Sequence, residues 1–346
     1  MANLFENMLS SEESIFLNPQ FLDYDYQPKL VPFREAQQNE IALCIKPLLQ
    51  RRNGRNIFIH GNPGVGKTVC LKHVLNELKE NHSDEIFCIY VNCWKKDTSF
   101  KAATAICEQL KYKWIHNKTF DDLMKTIAET INEKSAVIVL DEADKLQDNN
   151  IIYTLLEDVF RISLILITNY HEYIAKLDNR IRSRLIAQTV EFKPYNREQT
   201  AEILRQRIKY SFVPDCVADD ILYMIADKTF EAKDMRTGLF LLKQAGENAE
   251  NSGSRNVKPE HLKTALESAS VNSIEKEDDT LLNLIKENSG KSSSEIFKLY
   301  EEKEKKTLRT FQRKLKELEA ANKIKLREEN NGFNGRQTII EYAEYP

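Results

Sequence analysis

At 346 residues, with 30% charged and 41% hydrophobic side chains and a formal net charge of −3, the chain has a globular composition. It is long enough for two or three domains, since one core rarely serves more than about 250 residues. Its longest apolar runs, Ala136 to Leu140 and Ile162 to Ile167, are far too short to span a bilayer, and the slightly acidic balance excludes a chain that coats nucleic acid over its whole surface. The six cysteines form no C-x-x-C pair, so they are expected as buried thiols in a reducing compartment and not as a metal site or disulfide framework. The opening "MANLFENMLSSEESIF" has neither a basic n-region nor an apolar h-region, so no secretory signal and a cytoplasmic location are expected.

Asn56 to His60 is an apolar run and Lys67 to Leu78 has helical periodicity; between them lies "HGNPGVGKTVC". This fits G-x-x-x-x-G-K-[ST] as Gly61, Gly66, Lys67 and Thr68, in the strand-turn-helix context the motif requires. The turn through Gly61, Asn62, Pro63, Gly64, Val65, Gly66, Lys67, Thr68 and Val69 is expected to cradle phosphates with backbone N–H groups at a helix N-terminus. Lys67 would reach the β and γ phosphates and Thr68 would ligate Mg²⁺.

"AVIVLDEADKL" is a buried strand that ends in Asp141 and Glu142, which places two carboxylates at the carboxyl end of a parallel sheet, where open α/β sheets bind ligands. Asp141 suits a partner of Mg²⁺ and Glu142 suits the residue that orients and polarises the attacking water. The guanine signature Asn-Lys-x-Asp is absent, so adenine is the expected base. The next apolar strand, "ISLILIT", stops at Thr168 and Asn169, beside the phosphate loop. It is followed by "NRIRSRL", in which Arg180 and Arg184 share one helix face.

Residues 196–275 switch to helices without strands: Arg197 to Tyr210, capped by Asn196 with Gln199 as its box partner, Asp215 to Asp227, Asp234 to Glu250, and Pro259 to Ala269. A polar bridge, "NSIEKEDD", then leads to a segment from 278 to 346. Its helices are expected over Leu281 to Glu287 and Ser294 to Tyr300, with a third in "KTLRTFQRKLKELEAANKIKL" that runs into a strand. The turn "NNGFNG" and the strand "RQTIIEYA" complete a winged helix-turn-helix. On the third helix Leu308, Phe311, Leu315 and Leu318 fall on one face, and Arg309, Gln312, Arg313 and Lys316 on the other. Lys286 to Arg327 carries 13 basic and 7 acidic residues, a local +6 against −9 for the remainder. Arg309 and Arg313 are candidates for base edges, and Lys305, Lys306 and Arg336 suit phosphates. A winged helix that docks protein, with its charges merely solvated, is the alternative.

The order of phosphate loop, Asp-Glu strand, polar strand end and arginine-rich turn resembles the AAA+ ATPases. "YQPKLVPFREAQQNEIA", "IYVNC", "LDNRIRSRL" and "KDMRTGLFLLKQAGENAE" with "VKPEHLKTAL" resemble the archaeal Orc-type replication initiators, over about Tyr26 to Tyr342. The resemblance implies an AAA+ P-loop core over 1–195 with a parallel sheet, an all-helical lid over 196–275 and a winged helix over 278–346. It implies that Val31, Pro32 and Arg34, within Val31 to Glu35, help enclose the adenine and that Asn92 lies near the catalytic water. Asn169 becomes the first γ-phosphate sensor, Arg184 or Arg180 an arginine finger for a neighbouring subunit, and Arg236 a second sensor on the lid. Lys95 to Phe120 falls where that family inserts initiator-specific helices, with "KAATAICEQLKYKW" as a helix; an ordinary connecting helix of the core is the other reading.

By the same resemblance the chain is a short member of the family, without the long basic N-terminal extension of larger ones, and nucleoid-associated. Its expected function is an ATP-dependent initiator that binds duplex origin DNA and helps recruit or load the replicative helicase, with slow ATP hydrolysis to ADP as the switch. Four glutamates in "KSSSEIFKLYEEKEKK" point to modest affinity alone and to a partner initiator subunit. An ADP-locked DNA-binding regulator that loads no helicase is the alternative, and a clamp-loader-like or transposition-helper ATPase a third.

Overall fold

The computed structural model describes residues 14–28, 30–277, 280–304, 308–320, 324–330 and 336–342. Some side chains within the last helices and strands lie outside that description, those of Arg309, Arg313 and Arg336 among them. The chain divides into two compact units between Ala265 and Leu266.

The first unit begins with α1 (Glu35–Leu49), β1 (Ile57–His60), α2 (Lys67–His82), β2 (Ile86–Asn92), α3 (Ser99–Gln109) and α4 (Phe120–Ile131). It continues through β3 (Ser135–Asp141), α5 (Asn150–Asp158), β4 (Ile162–Thr168), α6 (Tyr173–Lys176), α7 (Asn179–Leu185) and β5 (Gln188–Glu191). The five strands form one parallel sheet in the order β2-β3-β4-β1-β5. β3 and β4 are buried at every position, which in a parallel sheet requires helices on both faces. Alternation divides them: Ile138 and Leu140 pack with α3, α4 and α5, while Val137 and Val139 pack with α1 and α2. The register sets His60 beside Thr168 and Asn92 beside Asp141, so the polar strand ends line up along one edge.

Ala102, Ala103, Ile106 and Cys107 of α3 are buried against α4 and the sheet, as a connecting helix of the core would be. The helix stops at Gln109, short of the expected Trp114, because Lys111 takes a left-handed φ of 62°.

A helical segment follows: α8 (Arg197–Ser211), α9 (Asp219–Ala232), α10 (Met235–Asn251) and α11 (Pro259–Glu277). The Asn196–Gln199 capping box forms. α9 starts four residues after the expected Asp215, which has a φ of 64°, and Val217 instead pairs with Val257 in an isolated bridge. α11 runs on to Glu277, through most of the stretch expected as a polar bridge, since no glycine or proline interrupts 270–277.

The second unit contains α12 (Thr280–Glu287), β6 (Lys291–Ser292), α13 (Ser293–Glu304), α14 (Leu308–Ala320), β7 (Ile324–Asn330) and β8 (Arg336–Tyr342). Its antiparallel sheet has the order β6-β8-β7, the connectivity expected of a winged helix-turn-helix. The core gathers Leu284, Ile285, Ile296, Tyr300, Phe311, Leu315 and Ile340. Leu308 departs from the expected stripe: it opens α14 half exposed, and the packed arc starts one turn later at Phe311. No helix among the described residues is long and apolar enough to cross a membrane.

Candidate nucleotide site at the carboxyl edge of the sheet

The loop between β1 and α2 closes only because of its glycines. Gly61 has a φ of 147°, and a Cβ there would sit 2.3 Å from the carbonyl oxygen of Phe192. Gly64 has a φ of 71°, and a Cβ would lie 1.7 Å from Oδ1 of Asp234, the N-cap of α10. The Met235 N–H donates to the Gly64 carbonyl at 3.3 Å. The helical segment therefore rests directly on the tip of the loop.

Lys67 is buried where α2 begins, and its Nζ donates to the carbonyls of Gly61 (2.6 Å) and Asn62 (2.8 Å) and to Oδ1 of Asn169 (2.8 Å). Burial lowers its pKa to about 8, against the opposing pull of Asp141. Three acceptors around one ammonium compensate the lost hydration and aim the charge across the loop. Thr68 Oγ1 donates to Asp141 Oδ2 at 2.8 Å, and the Tyr90 hydroxyl donates to the same oxygen at 2.5 Å. Burial and that carboxylate push the Tyr90 phenol well above its ordinary range.

Glu142 stands in the left-handed region at a φ of 55°, a strained backbone of the kind that gathers at functional sites. Burial, then Asp141 and Asp144, raise its pKa. Asp144, its side chain only 8% exposed, lies 3.2 Å from Lys145 Nζ, yet neither of its oxygens accepts a hydrogen bond. Asn92 Oδ1 accepts from the Lys95 N–H at 3.1 Å, one strand over from Asp141. The described residues hold no cluster of three His, Cys, Asp or Glu arranged for a metal. The donors that do converge, the Thr68 hydroxyl and the Asp141 carboxylate, are the hard oxygens Mg²⁺ takes, usually one or two from protein and the rest from phosphate and water.

Around this centre the expected residues fall into different settings. Val31 is buried and Pro32 partly so. The Arg34 guanidinium is spent on the backbone: Nη2 donates to Val65 O at 2.9 Å and to Lys193 O at 2.6 Å, and the group stacks over Tyr195, 3.9 Å from the ring centroid. It ties the backbone of the phosphate loop at Val65 to that of Lys193. Arg236, exposed near the start of α10, is close enough to lower the pKa of Lys67. Arg184 is engaged within the chain, with Nη1 2.5 Å from Glu157 and the guanidinium over Tyr153, whereas the Arg180 side chain is 80% exposed with Asp178 at 3.4 Å. On the second unit Gln312 and Lys316 are exposed on α14. Lys305 and Lys306 lie outside the described residues, as do the side chains of Arg309, Arg313 and Arg336.

Tyr90, Asp144, Tyr195 and Asp234 belong to this site although no sequence pattern singled them out. Tyr90 shares a strand face with Asn92, and Asp144 follows Asp141 by three residues, so both had a local signal. Tyr195 and Asp234 had none, because they approach the loop only through tertiary folding.

The family model described as an AAA domain matches residues 50–177, and that described as a Cdc6 AAA+ ATPase-type lid domain matches residues 201–267. The ORC1-type DNA replication protein 2 of Methanothermobacter thermautotrophicus is 30% identical, over 96% of this chain and 93% of its own length. The chain belongs to the ORC1-type DNA replication proteins. The ORC1-type DNA replication protein 1 of Sulfurisphaera tokodaii is 32% identical over 77% of this chain and 70% of its own. Among solved structures, the Aeropyrum pernix ORC1 protein in complex with DNA matches this ORC1-type chain with a TM-score of 0.75 and 25% identity, covering 96% of this chain and 94% of that one. Cdc6p from Pyrobaculum aerophilum, at 19% identity and a TM-score of 0.66 over 95% of each chain, shares the fold. The loop, the Asp141 strand and the helical segment are thus the nucleotide-binding core and lid of an AAA+ ATPase.

Proposed function

We propose that this ORC1-type protein is an ATP-dependent replication initiator that binds duplex origin DNA and helps recruit or load the replicative helicase, with slow hydrolysis as its off-switch. The observation that carries the reading is the convergence on the phosphate loop. Lys67 joins the loop to Asn169 on the end of β4, and the start of α10 sits on Gly64 with Arg236 close behind. A γ-phosphate placed there contacts loop, Asn169 and lid together, so its loss changes the angle between core and lid. Thr68 and Asp141 hold Mg²⁺, which neutralises phosphate charge when bound. Glu142, with its raised pKa, orients and polarises water. Of the two arginines that share one face of α7, Arg180 has the exposure to reach a neighbouring initiator subunit, while Arg184 is held by Glu157. The domains that serve this switch are the core over 1–195, the lid over 196–275 and the winged helix over 278–346. In the last of these, α14 lies in the major groove through Arg309, Gln312, Arg313 and Lys316, with Lys305, Lys306 and Arg336 on phosphates.

The test is duplex binding by fluorescence anisotropy against salt, with ATP and with ADP, on origin-like and random DNA. Tighter, sequence-dependent binding with ATP and a steep salt slope supports the initiator. Equal binding with both nucleotides supports an ADP-locked regulator, and no binding under either turns the winged helix into a protein-docking module.

A further inference from the structure

Three adjacent strands, β2, β3 and β4, end beside one another, and each is followed by a residue that the nucleotide site does not use. After β2 comes Trp94, 65% exposed; after β4 comes Tyr170, 55% exposed. Beyond β3 comes Lys145, whose Nζ lies 5.2 Å from the Trp94 ring centroid and 5.9 Å from that of Tyr170. The two rings are therefore no more than about 11 Å apart, with a cation between them. Lys95 and Lys96 follow Trp94, and neither forms an ion pair among the described residues. Asp144 offsets part of the Lys145 charge at 3.2 Å, so the uncompensated positive charge here comes from Lys95 and Lys96.

The rings are displayed on a fixed backbone. The Cys93 N–H donates to the Asp141 carbonyl at 2.8 Å and the Lys95 N–H to Asn92 Oδ1 at 3.1 Å. Across the edge, the Tyr170 N–H donates to Thr168 Oγ1 at 3.1 Å, and that hydroxyl donates back to the Tyr170 carbonyl at 2.8 Å. Two large aromatic side chains left in water on pinned backbone, beside uncompensated lysines, suit a partner that is flat, polarisable and anionic. Exposed nucleobases on a phosphate chain have that character, and stacking on such rings tolerates any sequence. Duplex DNA does not, because its bases are already stacked and must be extruded first.

We infer that Trp94, Tyr170 and Lys145, with Lys95 and Lys96, form a binding site for single-stranded nucleic acid on the ATPase core, separate from the duplex-binding surface assigned to α14. Tyr170 directly follows Asn169, the residue that accepts from Lys67, and Lys145 lies three residues after Glu142. The proposed strand site thus borders the nucleotide site along the same edge of the sheet.

The chain has two tryptophans, Trp94 and Trp114, and Trp114 is exposed, so the full-length Trp114→Phe protein reports from Trp94 alone. Titrating it with oligothymidylate at low salt is expected to quench Trp94, with an affinity that falls as salt rises. Tyr170→Ala in that background should weaken binding by about five- to a hundredfold, the range for one lost stacked base, and Lys95→Gln/Lys96→Gln should flatten the salt dependence. A duplex of equal length should leave Trp94 unquenched while its anisotropy still reports binding elsewhere, so this site and the duplex reading fail separately. No quenching by oligothymidylate, an unchanged affinity in Tyr170→Ala with native circular dichroism, or quenching by oligoglutamate in its place would overturn the proposal.

Discussion

Lys67 does two jobs that pull its proton in opposite directions. Burial among carbonyls lowers its pKa to about 8, whereas a bound phosphate favours the ammonium and raises it again. Nucleotide affinity is therefore expected to be flat below about pH 8. Above it, affinity should fall by up to tenfold per pH unit, because the free protein must take up a proton before it can bind. A fluorescent ADP titrated from pH 6.5 to 9.5 checks this, and Lys67→Arg, which stays charged throughout, should abolish the dependence. The sign for folding is opposite. The unfolded chain keeps this proton up to 10.5, so between about pH 8 and 10.5 it binds more protons than the native state, and the contribution of Lys67 to stability rises with pH. This residue, with Thr68, Asp141 and Asn169, was legible in the sequence because a motif and two strand ends place them without long-range information. Arg34 was named there only through the family resemblance, and its partners were not foreseen: they are the carbonyls of Val65 and Lys193, and no local pattern announces a guanidinium that binds backbone 31 and 159 residues away.

At the level of elements, the contact between the phosphate loop and α10 stands out because it is backbone to backbone. Asp234 caps its helix through the Arg236 N–H at 2.9 Å and at the same time fills the face of Gly64. Gly64→Ala should therefore meet two penalties, a left-handed φ and a Cβ inside the Asp234 carboxylate, together about 1–3 kcal/mol of stability by urea unfolding. Asp234→Ala by itself loses the cap of α10, so the clash is read from a cycle: Gly64→Ala should cost less in the Asp234→Ala background than in the native chain, the remainder being the part due to φ. An equal cost in both backgrounds would show that the Asp234 side chain does not bear on the loop. The cap of α8 was predictable, because a capping box is written in four consecutive residues. The extension of α11 was harder to foresee: polarity suggested a linker, but a helix can run on where no breaker stops it, and no glycine or proline intervenes before Glu277.

Across the molecule as a whole, charge is distributed against the average. A chain of net −3 carries +6 between Lys286 and Arg327, within a unit that has its own hydrophobic core. If α14 carries the duplex contacts, Lys316→Ala should weaken binding about equally on all sequences and reduce the salt slope by about one, as loss of one phosphate contact does. A change in sequence preference without a change in slope would instead place Lys316 at a base edge. The same unit shows how far patterning carries. By spacing alone Leu308 is as good a core residue as Phe311, yet Phe311, Leu315 and Leu318 are buried and Leu308 is not. Periodicity defines a face, while the position of the neighbouring helices decides where along that face the packing begins.

The alternation of buried strands and helices, the phosphate loop and the identity of the residues that end each strand are all written in the chain itself. Parallel strands deliver their carboxyl ends to one edge whatever the details of packing, which is why Asp141, Asn169 and Lys67 meet. What surrounds them is a product of the three-dimensional fold. Arg34 and Tyr195 against the loop, Asp234 on Gly64, and Lys145 between Trp94 and Tyr170 come from segments far apart in the chain. Their meeting depends on strand order and helix placement, which no local spacing encodes.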